Sequence, residues 1–210
     1  MSQTPFDIQR AAVIGAGTMG RGIVMCLANA GVAVQWVDNN PQMLEQALVT
    51  VADTYAHSVR QERIDQAEAD ARIARVTAAA NYAAIRDVDL VIEAVYENLE
   101  LKQSIFRELD GLLKPEAILA SNTSALDIDA IAAVTRRPQQ VLGLHFFSPA
   151  HIMKLLEIVR GAQTSPAALQ AALALGKRMG KVSVVSGNCH GFIGNRMLHP
   201  YVLEARKMLL

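Results

Sequence analysis

The sequence predicts an α/β fold with a doubly wound, mostly parallel sheet. Three observations carry this. Short apolar runs rich in β-branched residues recur along the 210-residue chain, helical segments separate most of them, and a glycine-rich turn joins the first run to the first helix. Composition excludes other classes. Half the residues are hydrophobic (51%), and 20 acidic side chains balance 20 basic ones. A disordered chain would be less hydrophobic and more highly charged, and a nucleic-acid binder would carry a basic excess, so no nucleic-acid partner is expected. The two cysteines, Cys26 and Cys189, lack zinc-ligand or disulfide-framework spacing, so no metal is expected and a reducing, cytoplasmic setting is the default.

Arg10–Ile14 reads as a buried strand, residues 18–30 as a helix ended by Gly31, and residues 32–37 as the next strand. Only Arg21 is charged between Ala11 and Val37, yet Gly15, Gly17, Gly20, Gly22 and Gly31 break that stretch, so it is not a membrane span. Asp7 with a lone Arg10 is a poor secretory start. Pro41 opens a helical arm of one or two helices reaching about Arg75, with mixed-sign charges of a solvated face. Further strands are expected at Leu90–Glu93, Ile118–Ser121, Val141–Phe146, 155–159 and 182–185, and helices at 98–113, 125–134 and 166–179. Eight residues between the strands at 141–146 and 155–159 are too few for a crossover helix, so an antiparallel pair at a sheet edge is expected there. A Gly-Asn turn marks a boundary, giving residues 1–187 as one domain and 188–210 as the helical start of another.

Gly15-Ala16-Gly17-Thr18-Met19-Gly20 lies directly between a strand and a helix. The first glycine permits a tight turn, the second lets backbone approach a pyrophosphate, and the third lets helix pack on strand. The helix N-terminus offers free N–H groups to phosphate. Asp38, eighteen residues past Gly20 at the end of the second strand, stands where a ribose 2′-hydroxyl is read and a 2′-phosphate repelled. NAD is therefore favoured over NADP, although FAD shares the fingerprint. A second constellation starts at His145, at the C-terminal end of a strand, with Glu157 twelve residues later on the returning strand. A histidine there could act as a general base and the carboxylate could orient it, or both could be unrelated polar groups.

The chain resembles the L-3-hydroxyacyl-CoA dehydrogenase family over nearly its whole length. The resemblance rests on the GAGTMG turn, Glu93-Ala94-Val95-Tyr96-Glu97-Asn98, Ser121-Asn122-Thr123-Ser124, His145-Phe146-Phe147-Ser148-Pro149, Met153-Lys154-Leu155-Leu156-Glu157 and Gly191-Phe192-Ile193-Gly194-Asn195-Arg196, in that order. In style it is closest to the dehydrogenase part of multifunctional fatty-acid β-oxidation enzymes. The resemblance implies a Rossmann-type NAD-binding domain followed by the first helix of a truncated all-α C-terminal domain. It implies oxidation of an L-3-hydroxyacyl-CoA, with His145 as base, Glu157 orienting it, and Ser124 and Asn195 on the substrate oxygens. Gly15, Gly17, Thr18, Met19, Gly20 and Asp38 would hold NAD, with Ala94, Glu97, Lys102 and Asn122 around the nicotinamide half.

Simpler roles stand beside these: Ser124 as a helix cap, Glu97 and Lys102 as first-turn charges, Lys102 as a surface lysine, Asn195 as a core amide. Where the family often has Asn, this chain has Ser148. Arg60 and Arg63 on the arm are candidates for the CoA end, while Met19, Met25, Phe192 and Met197 read as core. Two other functions remain open, a cofactor-binding module without turnover and a dehydrogenase of a free 3-hydroxy acid. An exposed apolar face on the last helix, carrying Ile193, Met197, Val202, Met208 and Leu209, would favour self-association as a homodimer.

Overall fold

Ala11 and Val13 face one apolar layer of the molecule and Ala12 and Ile14 the opposite one, as the two-residue period of a strand requires. The structure is a computed structural model and describes residues 6–208. In chain order its strands are β1 (Arg10–Ile14), β2 (Ala33–Val37), β3 (Val76–Ala78), β4 (Leu90–Glu93), β5 (Ile118–Ser121), β6 (Val141–Phe146), β7 (Leu155–Arg160) and β8 (Val182–Gly187). Its helices are α1 (Thr18–Asn29), α2 (Pro41–Arg60), α3 (Gln66–Ala74), α4 (Leu99–Leu112), α5 (Ile128–Ala132), α6 (Pro166–Arg178) and α7 (Gly194–Lys207).

The strands form one sheet in the order β3-β2-β1-β4-β5-β6-β7-β8, parallel except where β6 meets β7. Ile23, Leu44, Ala69 and Leu175 bring α1, α2, α3 and α6 onto one face, while Ile105, Leu109 and Ile131 bring α4 and α5 onto the other. Winding reverses between β1 and β4, so the crevice beyond their C-terminal ends is where such sheets bind ligands. Gly15 and Ala94 open that crevice. Gly22 of α1 lies hard against the turn after β6: a Cβ there would come 2.8 Å from the Cβ of Ala150. The Cys26 thiol and the Lys181 ammonium both donate to the Ala150 carbonyl, seating that turn on α1.

The arm is two helices, within the one or two expected, and divides at residues 61–65, where Glu62 adopts φ +53° and Asp65 caps α3 by accepting from Glu68 N–H. Other expectations need correction. The helix expected over 125–134 shortens to five residues. Thr123 Oγ1 accepts the N–H groups of Ala125 and Leu126, which holds them in a turn, and Asp127 is the helix cap. Ser124 is therefore not that cap. The antiparallel pair is not at the edge, because β8 adds to β7 in parallel outside it. Strand β3 was not expected; it has three residues, two of them exposed.

Met25 and Phe192 are buried and Met19 is half-buried, but Met197 is 73% exposed and is not core. On α7, Met197, Leu198, Tyr201 and Leu203 are exposed, as are Ile193 just before it and Met208 just after, and Val202 is half-buried. Leu209 lies outside the described residues. Among the described residues, no helix is long and apolar enough to cross a membrane.

Candidate active site

The glycine-rich turn is built by contacts that exclude side chains at two of its glycines. Gly15 sits at φ +108°, and a Cβ there would come 2.6 Å from the Ala94 carbonyl oxygen. A Cβ on Gly20 would lie 1.9 Å from the Gly15 carbonyl oxygen. The same oxygen accepts the indole N–H of Trp36, at 2.9 Å from β2. Gly17 differs: a Cβ there would meet nothing within 4 Å. It stands at the N-terminus of α1, which has no side-chain cap and no acidic residue in its first turn. Thr18 is exposed beside it. Asp38 Oδ2 accepts from Ala16 N–H at 2.7 Å, and Oδ1 from Asn40 N–H at 2.8 Å. The acid is thus fastened beside the turn. Open space over Gly17, uncapped N–H groups and this carboxylate fit the pyrophosphate and ribose of a bound NAD.

Beyond β4 a charged cluster supports the crevice from beneath. Glu93 is 0% and Lys102 is 1% exposed, and they pair at 2.7 Å. Glu93 also accepts from Val95 N–H and the Ser121 hydroxyl, each at 2.7 Å. Lys102 is therefore neither a surface lysine nor an open lining group. Its ammonium reaches the Val95 carbonyl at 3.4 Å and Glu97 at 3.5 Å. Glu97 Oε1 accepts from the Thr123 hydroxyl at 2.6 Å, Ser124 N–H at 2.8 Å and the Ser124 hydroxyl at 3.1 Å. Burial pushes the Glu97 carboxyl up, but those hydrogen bonds and the Lys102 charge outweigh it and hold the group below the usual glutamate range. Asn122 ties two strand ends together, its Oδ1 accepting from Phe146 N–H at 3.0 Å.

His145 and Glu157 meet on the sheet beside this cluster. Both are buried, with His145 Nδ1 and Glu157 Oε2 2.6 Å apart. The rings of Phe147 and Phe192 lie 4.4 and 5.7 Å from the imidazole. Glu157 Oε1 accepts from Ile193 N–H at 3.0 Å and Gly194 N–H at 2.7 Å, at the start of α7. Asn195 Nδ2 donates to the Ser124 carbonyl at 3.3 Å. Hydrogen bonds and neighbouring residues thus run from His145 through Glu157, the start of α7 and Ser124 to Glu97, while Asp38 holds the far side of the turn.

Sequence reasoning missed Trp36, Glu93, Thr123 and the amides of Ile193 and Gly194. Trp36 had a signal, as the lone tryptophan; the amides had none. On the arm, a cavity of about 420 Å³ is lined by Tyr55, His57, Arg63, Arg72 and His151 among others, and Arg60 is not in its wall. Burial and the nearby Lys181 charge hold the His151 imidazole below its ordinary range.

The family model described as 3-hydroxyacyl-CoA dehydrogenase, NAD binding domain, matches residues 10–189. The chain is 51% identical over 212 aligned positions to the peroxisomal bifunctional enzyme of Danio rerio, an alignment covering 98% of this chain and 28% of that protein. The chain thus spans little more than a quarter of that relative's length. Two solved structures are also similar. One is the (S)-3-hydroxybutyryl-CoA dehydrogenase of Ralstonia eutropha (TM-score 0.92, 37% identity, 95% of this chain and 70% of that one). The other is the 3-hydroxybutyryl-CoA dehydrogenase of Escherichia coli K12 (TM-score 0.95, 35% identity, 97% of this chain and 43% of that one).

Proposed function

The chain belongs to the 3-hydroxyacyl-CoA dehydrogenase family, as its NAD-binding domain, and from that premise we propose that it serves the NAD-dependent oxidation of an L-3-hydroxyacyl-CoA to the 3-oxoacyl-CoA. The observation that carries the reading is the buried His145–Glu157 contact of 2.6 Å at the C-terminal edge of the sheet that also holds the dinucleotide turn. Glu157 accepts a hydrogen bond from Nδ1–H, which leaves the lone pair of His145 Nε2 to take the proton of the substrate 3-hydroxyl. The charge that builds on the imidazole is balanced by the carboxylate behind it. Phe147 and Phe192 keep water from the ring.

Bound NAD supplies the acceptor for the hydride leaving the same carbon. Gly17, the start of α1 and Asp38 hold its pyrophosphate and adenosine ribose. Ala94, Glu97 and Asn122 border the nicotinamide half, with Lys102 bracing Glu97 from below. Ser124 and Asn195, joined to each other, face the substrate oxygens. Arg63 and Arg72, in the arm cavity, offer cations to the phosphates of CoA.

The test is NADH appearance when the chain is given NAD and L-3-hydroxybutyryl-CoA, beside the free hydroxy acid. Turnover of the thioester alone, lost in His145→Ala, is expected. Turnover of the free acid at the same rate would overturn the CoA assignment. A second reading, NAD binding without turnover, is favoured by α7, none of whose residues is buried. Tight NAD binding with no NADH formed would select it.

A further inference from the structure

We propose that the turn entering α7 sets the tautomer of His145 through Glu157, with Gly194 as the positioning residue. This rests on the reading of His145 as the base. The two oxygens of Glu157 are used separately, since Oε2 meets His145 Nδ1 while Oε1 accepts the N–H groups of Ile193 and Gly194. Backbone amides only donate, so Oε1 accepts twice, and as an ionised carboxylate Glu157 accepts through Oε2 as well. With the buried carboxylate pinned there, Oε2 cannot swing away from the imidazole. An acceptor at Oε2 requires the proton on Nδ1, which leaves Nε2 as the basic nitrogen.

The turn bears the marks of a strained device. Gly191 and Phe192 are both left-handed, at φ +72° and +49°. For a bulky side chain that conformation is an outlier, kept only where the surroundings impose it. Here it buries the Phe192 ring beside His145 and aims two successive amides at one oxygen. Gly194 is needed for the approach, since a Cβ on it would come 2.9 Å from Phe147 Cζ and 3.6 Å from Glu157 Oε1. The segment is fastened just upstream. Asn188 Nδ2 donates to Asp127 Oδ1 at 2.6 Å and Asp129 Oδ2 at 2.7 Å, and Asn188 Oδ1 accepts Ile128 N–H at 3.1 Å. The seating of α7 and the readiness of the base are therefore one event.

The test reads the tautomer directly. Cys189 allows a synthetic segment 189–210 to be ligated to residues 1–188, giving the full chain with the Gly194 amide replaced by an ester. That change deletes one N–H and adds no bulk; Gly194→Ala is the expressed counterpart. Imidazole ¹⁵N shifts of neutral His145 are compared at alkaline pH with NAD affinity and turnover. In the parent the proton resides on Nδ1. In both variants the Nδ1–H fraction falls at least about twofold and kcat falls about tenfold, the loss expected of one charge-assisted hydrogen bond, while NAD affinity is kept. An ester variant that binds NAD and keeps its parent's tautomer overturns the proposal. So does a parent with the proton on Nε2. If the parent shows no turnover, the dehydrogenase reading fails, and the shifts still decide whether the turn sets the tautomer.

Discussion

His145 and Glu157 are register partners on β6 and β7, the antiparallel pair among the described strands, so their side chains leave the sheet on the same face. A parallel neighbour would need a crossover helix and would bring its acid from far along the chain. The hairpin brings an imidazole and a carboxylate together within twelve residues, at the ligand edge of a sheet otherwise built for a dinucleotide.

Removal of either member should abolish turnover and spare the cofactor. His145→Ala and Glu157→Gln are each expected to lower kcat by about 10²–10⁴-fold. NAD affinity should be unchanged, read from quenching of Trp36, the sole tryptophan, whose indole donates to Gly15. A Glu157→Gln chain at full rate would show that the carboxylate does not orient the base.

Two glycines of one turn should separate folding from binding. Gly20→Ala forces a methyl into the Gly15 carbonyl and is expected to destabilise by about 3 kcal/mol. Gly17→Ala meets nothing within 4 Å among the described residues. Its denaturation midpoint should hold while NAD affinity falls about tenfold, because the added methyl occupies the space over the α1 N-terminus. Parallel urea melts and NAD titrations check both.

Asp38→Ala should weaken NAD by about 1.5–3 kcal/mol, since it removes a charged acceptor. It should also erase the preference over NADP. Binding of NAD and NADP to the parent with equal affinity would defeat the assignment of Asp38 to the 2′-hydroxyl.

Asp110 predicts an acid limb in the stability curve. Burial alone would raise its carboxyl, but hydrogen bonds from Arg136 and Arg137 prevail and hold it below the usual aspartate value of 3.8. A group depressed on folding contributes stability that is complete above its unfolded value and is lost as pH falls through the folded one. Asp110→Asn should thus cost about 3 kcal/mol at neutral pH and progressively less as pH falls below the unfolded value, in urea unfolding followed down the acid side.

What was legible in the sequence was local. Gly15, Gly17, Gly20 and Asp38 announce themselves because strand, turn and helix place them by spacing alone. His145 and Glu157 could be named, but their contact depends on a strand register that no spacing states. Lys102 reads equally as a nicotinamide-side group or a surface lysine because its partner Glu93 sits on a strand nine positions earlier. The helix near Ser124 was drawn too long because the Thr123 hydroxyl competes for two amides. Ile193 and Gly194 act through backbone N–H, which every residue but proline carries and no letter distinguishes.

Gly22 and the buried Ala150 meet where the cofactor helix packs on the loop beyond His145, and Gly22 has no room for a methyl. That contact is a spacer of fixed thickness between the helix after the dinucleotide turn and the loop that follows the His145 strand. A methyl gained on one side must be surrendered on the other, so these positions form a single unit of sequence change, although far apart along the chain.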